Sequence, residues 1–192
     1  EAQSNADIAY DTAIESAVYG GFGYFRISTD YAHEDSFDLD LKIEPIFNPF
    51  TVYGDPKGAG GDSSDWNFAF VTELLRAKEF KQQYPGADAS SWDGDRDDEN
   101  SDDGESQVRV AEYWKRSDEK RKILLIKGPQ GERVLDSRQW DKDEIRAIFE
   151  AAGYQVSGER ETKSAKVTQY LLTGSEVLDT VEWVGKYIPI VP

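Results

Sequence analysis

One histidine and no cysteine stand among the 192 residues, and that shortage decides most of the available chemistry. Without thiols there is no disulfide framework, thiolate metal site or cysteine nucleophile. His33 is the sole conventional general base, and it lies in the acidic string Ala32-His33-Glu34-Asp35-Ser36. A triad's members meet in space rather than along the chain, so His33 reads as a solvated turn residue. Ser137 and Ser175 lack the G-x-S-x-G context of a nucleophile elbow. Gly20-Gly21-Phe22-Gly23 follows a helical pattern and precedes a strand pattern. A phosphate loop needs the reverse order, with a helix N-terminus facing the anion, so these glycines read as a C-cap.

Oxygen ligands are abundant but poorly ordered. Asp93, Asp95, Asp97, Asp102 and Asp103 are weak candidates for a divalent cation, since Asp93-Gly94-Asp95-Arg96-Asp97 places oxygens at alternate positions. An EF-hand loop counted from Asp93 would need Gly at its sixth position and Glu at its twelfth, where Asp98 and Gly104 stand. Among 38 acids no glycosidase pair can be singled out. Trp66, Phe68, Phe70, Tyr113, Trp114 and Trp140 read as core rather than as a sugar platform. No residue set builds an active site, and no cofactor is implied. A calcium- or carbohydrate-binding β-rich module stands as the alternative function, resting on Asp93–Glu105 and those aromatics.

Charge sorts the remaining classes. The formal net charge is −16, and residues Asp88 to Glu105 hold nine acids against the single base Arg96. Such a block cannot bury apolar surface and repels itself, so residues 88–106 read as an acidic, mobile loop. The chain shows no basic stripe of the kind that neutralises phosphates, which argues against tight DNA binding. There is no apolar run long enough to span a bilayer, so no membrane role is expected. The aromatic content of 12% points instead to an ordered body. The chain starts without Met and stops inside the apolar run Ile188-Pro189-Ile190-Val191-Pro192, as expected for a fragment of a longer protein.

The elements that would position these residues follow from periodicity. Residues 5–19 predict a helix with Tyr10, Ala13, Ile14, Ala17 and Val18 inward, and Ser4 or Asn5 as its cap. Alternation over 24–31 and 39–44 predicts an antiparallel hairpin with a loop around 32–37. Asn48-Pro49-Phe50 ends the second strand, and residues 55–64 form a glycine-rich loop. A strand over 66–75 and a short helix over 77–84 come next. Residues 107–115 and 121–127 predict a second hairpin turning near Ser117-Asp118. Asp141 and Glu144 suggest a capping pair for a helix over 143–152, with Ile145, Ile148, Phe149 and Ala152 inward. Strands are expected at 154–161, 165–173 and 177–184. The sum is an α+β fold of mainly antiparallel strands and hairpins, with an N-terminal helix and two shorter helices.

An ordered series of motifs carries a resemblance. Asp7-Ile8-Ala9-Tyr10-Asp11-Thr12-Ala13-Ile14-Glu15-Ser16-Ala17-Val18, followed by Gly23-Tyr24-Phe25-Arg26-Ile27, resembles the helix-then-strand entry of phage portal proteins of the short-tailed type. Ile43-Glu44-Pro45-Ile46-Phe47-Asn48-Pro49-Phe50-Thr51-Val52-Tyr53-Gly54-Asp55-Pro56 is similar to that family's strand, Asn-Pro turn and Asp-Pro loop. Trp66 through Pro85 resembles its next strand and helix, and Lys186 through Pro192 the segment leaving this region. The resemblance implies a single wing-type domain over 1–192, within a subunit of a ring that is as a rule dodecameric. It implies a homo-oligomer at a capsid vertex that passes DNA without holding it. The implied partners are terminase, coat or scaffold and tail proteins, and the implied role is structural, without catalysis. It places the protein in the virion, and in the host bacterial cytoplasm during assembly.

Overall fold

A computed structural model describes residues 6–88 and 107–192 of the chain. Two compact units are present, one formed by Glu1–Arg116 with Val167–Pro192 and the other by Ser117–Lys166. The architecture is α+β with antiparallel pairing throughout the strand pairs named below. No described helix is long and apolar enough to cross a membrane.

The larger unit opens with helix α1 (Ala6–Gly20). It stops where predicted: Gly21 takes φ +86° and its N–H donates to the Ala17 carbonyl at 2.9 Å. The face it turns to the protein differs from the expected one. Ala6 and Ala9 are buried and Ala13 half-buried, whereas Ile14 is 62% and Val18 77% exposed. The cause is a close approach, because Gly23 lies so near the Ala13 carbonyl that only small residues fit between helix and strand. Tyr10 alone among the large residues reaches inward, meeting Phe25 edge-on at 5.3 Å. Asn5 and Ser4, the expected caps, lie outside the described residues.

Strands β1 (Phe25–Tyr31) and β2 (Leu39–Pro45) form the predicted hairpin, in register Ile27↔Ile43. Asn48 caps a 3-10 turn over Pro49–Thr51, its side chain accepting from the Phe50 N–H at 3.1 Å. Then follow β3 (Val52–Gly54), β4 (Phe68–Arg76) and α2 (Ala77–Gln83). β5 (Gln107–Gly128) is one strand of 22 residues, so the expected hairpin turning at Ser117-Asp118 does not exist. β6 (Gly131–Asp136) and α3 (Ser137–Trp140) were unforeseen, and α4 is Asp143–Ala151. β7 (Gln155–Leu172) merges two expected strands, then come β8 (Val177–Trp183) and β9 (Ile190–Val191).

In the larger unit one sheet has the order β2-β1-β9 and the other β3-β4-β5-β7-β8. Ile46, Val52, Trp66, Ala69, Trp114, Val167, Ile188 and Ile190 form the core where the two meet. Phe80 of α2, fully buried, closes the sheet's end on Val108 and Val110. Burying such a ring contributes about 1.5–3 kcal/mol. In the smaller unit β6 pairs with β5 in register Leu125↔Val134, and Leu124, Ile126, Trp140 and Tyr154 make the core. Here too the helix reading needs correction. No side chain caps α4, whose N-cap is Lys142, and Ile148 and Ala152 face solvent while Ile145 and Phe149 are half-buried.

Candidate functional site

The sequence's weak cation candidates, Asp93, Asp95, Asp97, Asp102 and Asp103, lie outside the described residues. Among the described residues no group of three or more His, Asp or Glu is arranged to hold a metal. His33 is exposed in the turn joining β1 to β2, and its carbonyl accepts from the Ser36 N–H at 3.0 Å. Ser36 in turn accepts from the Asp38 N–H at 2.9 Å, so this segment is a self-bonded turn. Ser137 opens α3 behind the Asp136 cap, and the Ser175 N–H donates to the Thr173 hydroxyl at 3.4 Å. These residues organise local backbone.

A groove of about 520 Å³ lies in the larger unit, lined by residues of β1, β4, β5, β7 and β8 and by Tyr84. Arg26 from β1 reaches Glu112 on β5 at 2.9 Å and Glu44 on β2 at 3.2 Å. Burial opposes the Arg26 charge, yet Glu112 and Glu44 outweigh it and hold its guanidinium above the ordinary value. This pairing braces the two sheets across their core. Burial raises the Tyr84 phenol, helped by the charges of Asp179, Glu73 and Glu112. The groove therefore presents the carboxylates of Glu73, Glu112 and Asp179, the Arg26 guanidinium and the neutral Tyr84 phenol.

Residues 55–64 were expected only as a glycine-rich loop, and the structure makes them, with Asp65, a clasp. Asp55, buried, accepts from the Lys57 N–H at 2.9 Å, the Asn67 side-chain amide at 2.9 Å and the Asn67 N–H at 3.1 Å. Asp65 accepts from Ala59 and Gly60 N–H groups at 2.6 and 2.9 Å, and Asp62 from the Ser64 hydroxyl at 2.7 Å. So stapled, the loop inserts Ser63 into the interior, where its hydroxyl donates to the Ile190 carbonyl at 2.6 Å. Arg116 locks the far side through the Ser64 carbonyl at 2.5 Å. The sequence signal was the Asp-x-x donor spacing of Asx turns, overlooked beside the glycines.

These bonds hold the carboxyls of Asp55, Asp62 and Asp65 below the usual range, Asp55 first through the Lys57 N–H and Asp65 first through that of Gly60. A folded pKa below the unfolded value of about 3.9 gives stability that is full above that value and is lost as pH falls through the folded pKa. Urea unfolding is therefore expected to show stability declining from about pH 4 downward. Asp55→Asn should lose less between pH 7 and pH 3 than the parent. Equal acid losses in the two proteins would rule the clasp out as a source of that dependence.

The aromatics divide between core and surface. Trp66, Trp114 and Trp140 are buried, as expected. Phe70 and Tyr113 are not in any of the three cores. The register Phe70↔Tyr113 against Val71↔Glu112 sets Val71 and Glu112 toward the covered face of the sheet and the two rings toward the other. There Phe70 stacks on Tyr113 at 4.6 Å, and Tyr113 on Tyr170 at 5.9 Å, while Phe68 meets Phe70 edge-on. Tyr53 pairs with Phe70 from β3, so the row crosses four strands. The expectation of a core role for Phe68, Phe70 and Tyr113 fails because strand parity puts them on the face opposite Ala69, Val71 and Trp114, where they are half-buried.

Comparison with known proteins gives a consistent result. The model of the Phage P22-like portal protein family matches residues 1–192. A portal protein of Acyrthosiphon pisum secondary endosymbiont phage 1 is 26% identical over 199 residues, which cover 96% of this chain and 26% of that protein. The chain thus spans about a quarter of the length of that relative.

Proposed function

The chain belongs to the P22-like portal protein family, and on that premise we propose that it forms a wing-type part of a phage portal ring, the channel at a capsid vertex through which DNA is packaged and ejected. The family is structural, and the role proposed for this region is to make ring and shell contacts, without catalysis. Terminase, coat or scaffold and tail proteins would attach through the whole ring, assembled as a dodecamer in the bacterial cytoplasm and retained in the virion. The observation that carries this reading is the family match along all 192 residues. The net charge of −16 supports it, since a body that must let DNA pass without holding it works best with little affinity for phosphate. Electron microscopy of the full-length protein tests it. Rings of about a dozen subunits around a central channel are the expected result, and a uniformly monomeric full-length protein would overturn it.

A further inference from the structure

We infer that the groove between α1 and the start of β1 receives the segment that follows Pro192 in the full-length protein. The groove has a volume of about 490 Å³, and Tyr10, Ile14, Ala17, Phe22, Phe25 and Pro192 help to line it. None of its lining residues is charged, on a chain whose net charge is −16. Such a wall suits an apolar segment and offers nothing to select a charged ligand. Ile14 and Phe22 lie exposed along it. The close approach of Gly23 to Ala13 keeps Ile14 from turning toward β1, so this apolar side of α1 needs cover of its own.

The course of β9 selects the occupant. β9 runs antiparallel to β1, with Ile190 opposite Arg26 and Val191 opposite Phe25. Continued in the same direction, the chain passes Tyr24 and then Gly23. Helix α1 lies along this path, because Tyr10 meets Phe25 and Ala13 lies against Gly23. Moving from Phe25 to Gly23 therefore moves along α1 from Tyr10 to Ala13 and on toward Ala17. A segment leaving Pro192 is aimed lengthwise into the groove, and Pro192 already forms part of the wall. Lengths agree as well. From Tyr10 to Gly21 the helix advances about 16 Å, which about five extended residues span. The portal protein that this chain matches over 26% of its length has chain enough to supply them. The contact lies within one polypeptide and does not depend on the ring.

Disulfide capture tests the contact. Residues 1–192 contain no cysteine, so any cysteine elsewhere in the full-length protein is replaced by serine. Ala17→Cys, at an exposed position, is then combined with a cysteine at each of the first five positions after Pro192 in turn. A disulfide needs Cα atoms within about 7 Å. With oxidised glutathione, one or two neighbouring positions should give an intrachain bond, seen as a faster-migrating monomer on a non-reducing gel. It should form at least tenfold faster than with Phe37→Cys, in the exposed turn between β1 and β2, as the partner. A bond between copies, equal rates for the two partners, or no bond at any position would overturn the contact. A second readout needs no cysteine. Ile14→Asp should speed amide hydrogen exchange in the five residues after Pro192 at least tenfold, and unchanged exchange there would also overturn it. An intrachain bond in a full-length protein without rings would sink the ring and leave this contact. Rings without the bond would do the reverse.

Discussion

Replacing Gly23 by alanine is expected to lower the melting temperature by roughly 6–12 °C, the thermal equivalent of about 3 kcal/mol in a chain of this size. A methyl group at that position would overlap the Ala13 carbonyl oxygen, with the carbonyl carbon at 2.8 Å and Ala13 Cα at 3.0 Å. All three are backbone atoms of α1, so no rotamer change relieves the overlap and the helix must lift from β1. Lifting it would uncover Ala6 and Ala9 and separate Tyr10 from Phe25. Gly61→Ala is the control, because nothing lies within 4 Å of the added carbon there. Thermal unfolding followed by circular dichroism compares the two. A Gly23→Ala protein that melts with its Gly61→Ala counterpart would show that α1 does not depend on this close approach.

The same approach explains what could and could not be read from the chain. The extent of α1 was legible, because glycines end it and an apolar repeat runs through it. Its orientation was not, since the helix has a small-residue side (Ala6, Ala9, Ala13) and a larger apolar side (Ile14, Val18), and periodicity ranks by hydrophobicity. The distance of approach decides, and that is set by Gly23, ten residues downstream of Ala13. The hairpin of β1 and β2 was legible because its alternation and turn are local. The long strands were not. Between Lys115 and Lys122 the chain reads as a polar turn, yet Glu119 pairs with Lys166 at 3.8 Å and Lys122 with Glu159 at 2.7 Å. Cross-strand charge pairs thus carry β5 through a stretch where hydrophobicity gives no signal. A real turn lay further on at Gly128-Pro129-Gln130-Gly131, where Gly131 takes φ +109° and leads into β6. As for the candidate surfaces, the family was legible from the motif order. The aspartate clasp and the outward aromatic row were not. Both depend on which residues a fold brings opposite one another.

The second large effect is expected in the smaller unit. Ser117–Lys166 comprises fifty residues around only four buried apolar side chains, Leu124, Ile126, Trp140 and Tyr154, backed by half-buried Leu135 and Phe149. A core of that size supplies little more than about 3–5 kcal/mol. Trp140→Ala removes its largest member, and such truncations cost about 3–5 kcal/mol. The loss therefore matches what holds the unit together. It also strips the ring from Phe149, at 6.3 Å, and from the Arg146 guanidinium above it, at 5.9 Å. Amide hydrogen exchange should show β6, α3 and α4 losing protection to near the level of an unfolded chain. β1 and β4, which draw on Trp66, Ala69 and Ile190 in a separate core, should keep theirs. Protection in β6 and α4 equal to that of the parent would mean the Trp140 core does not sustain this unit. Simultaneous loss in β4 would mean the two units unfold as one, so that a single buried indole supports both cores.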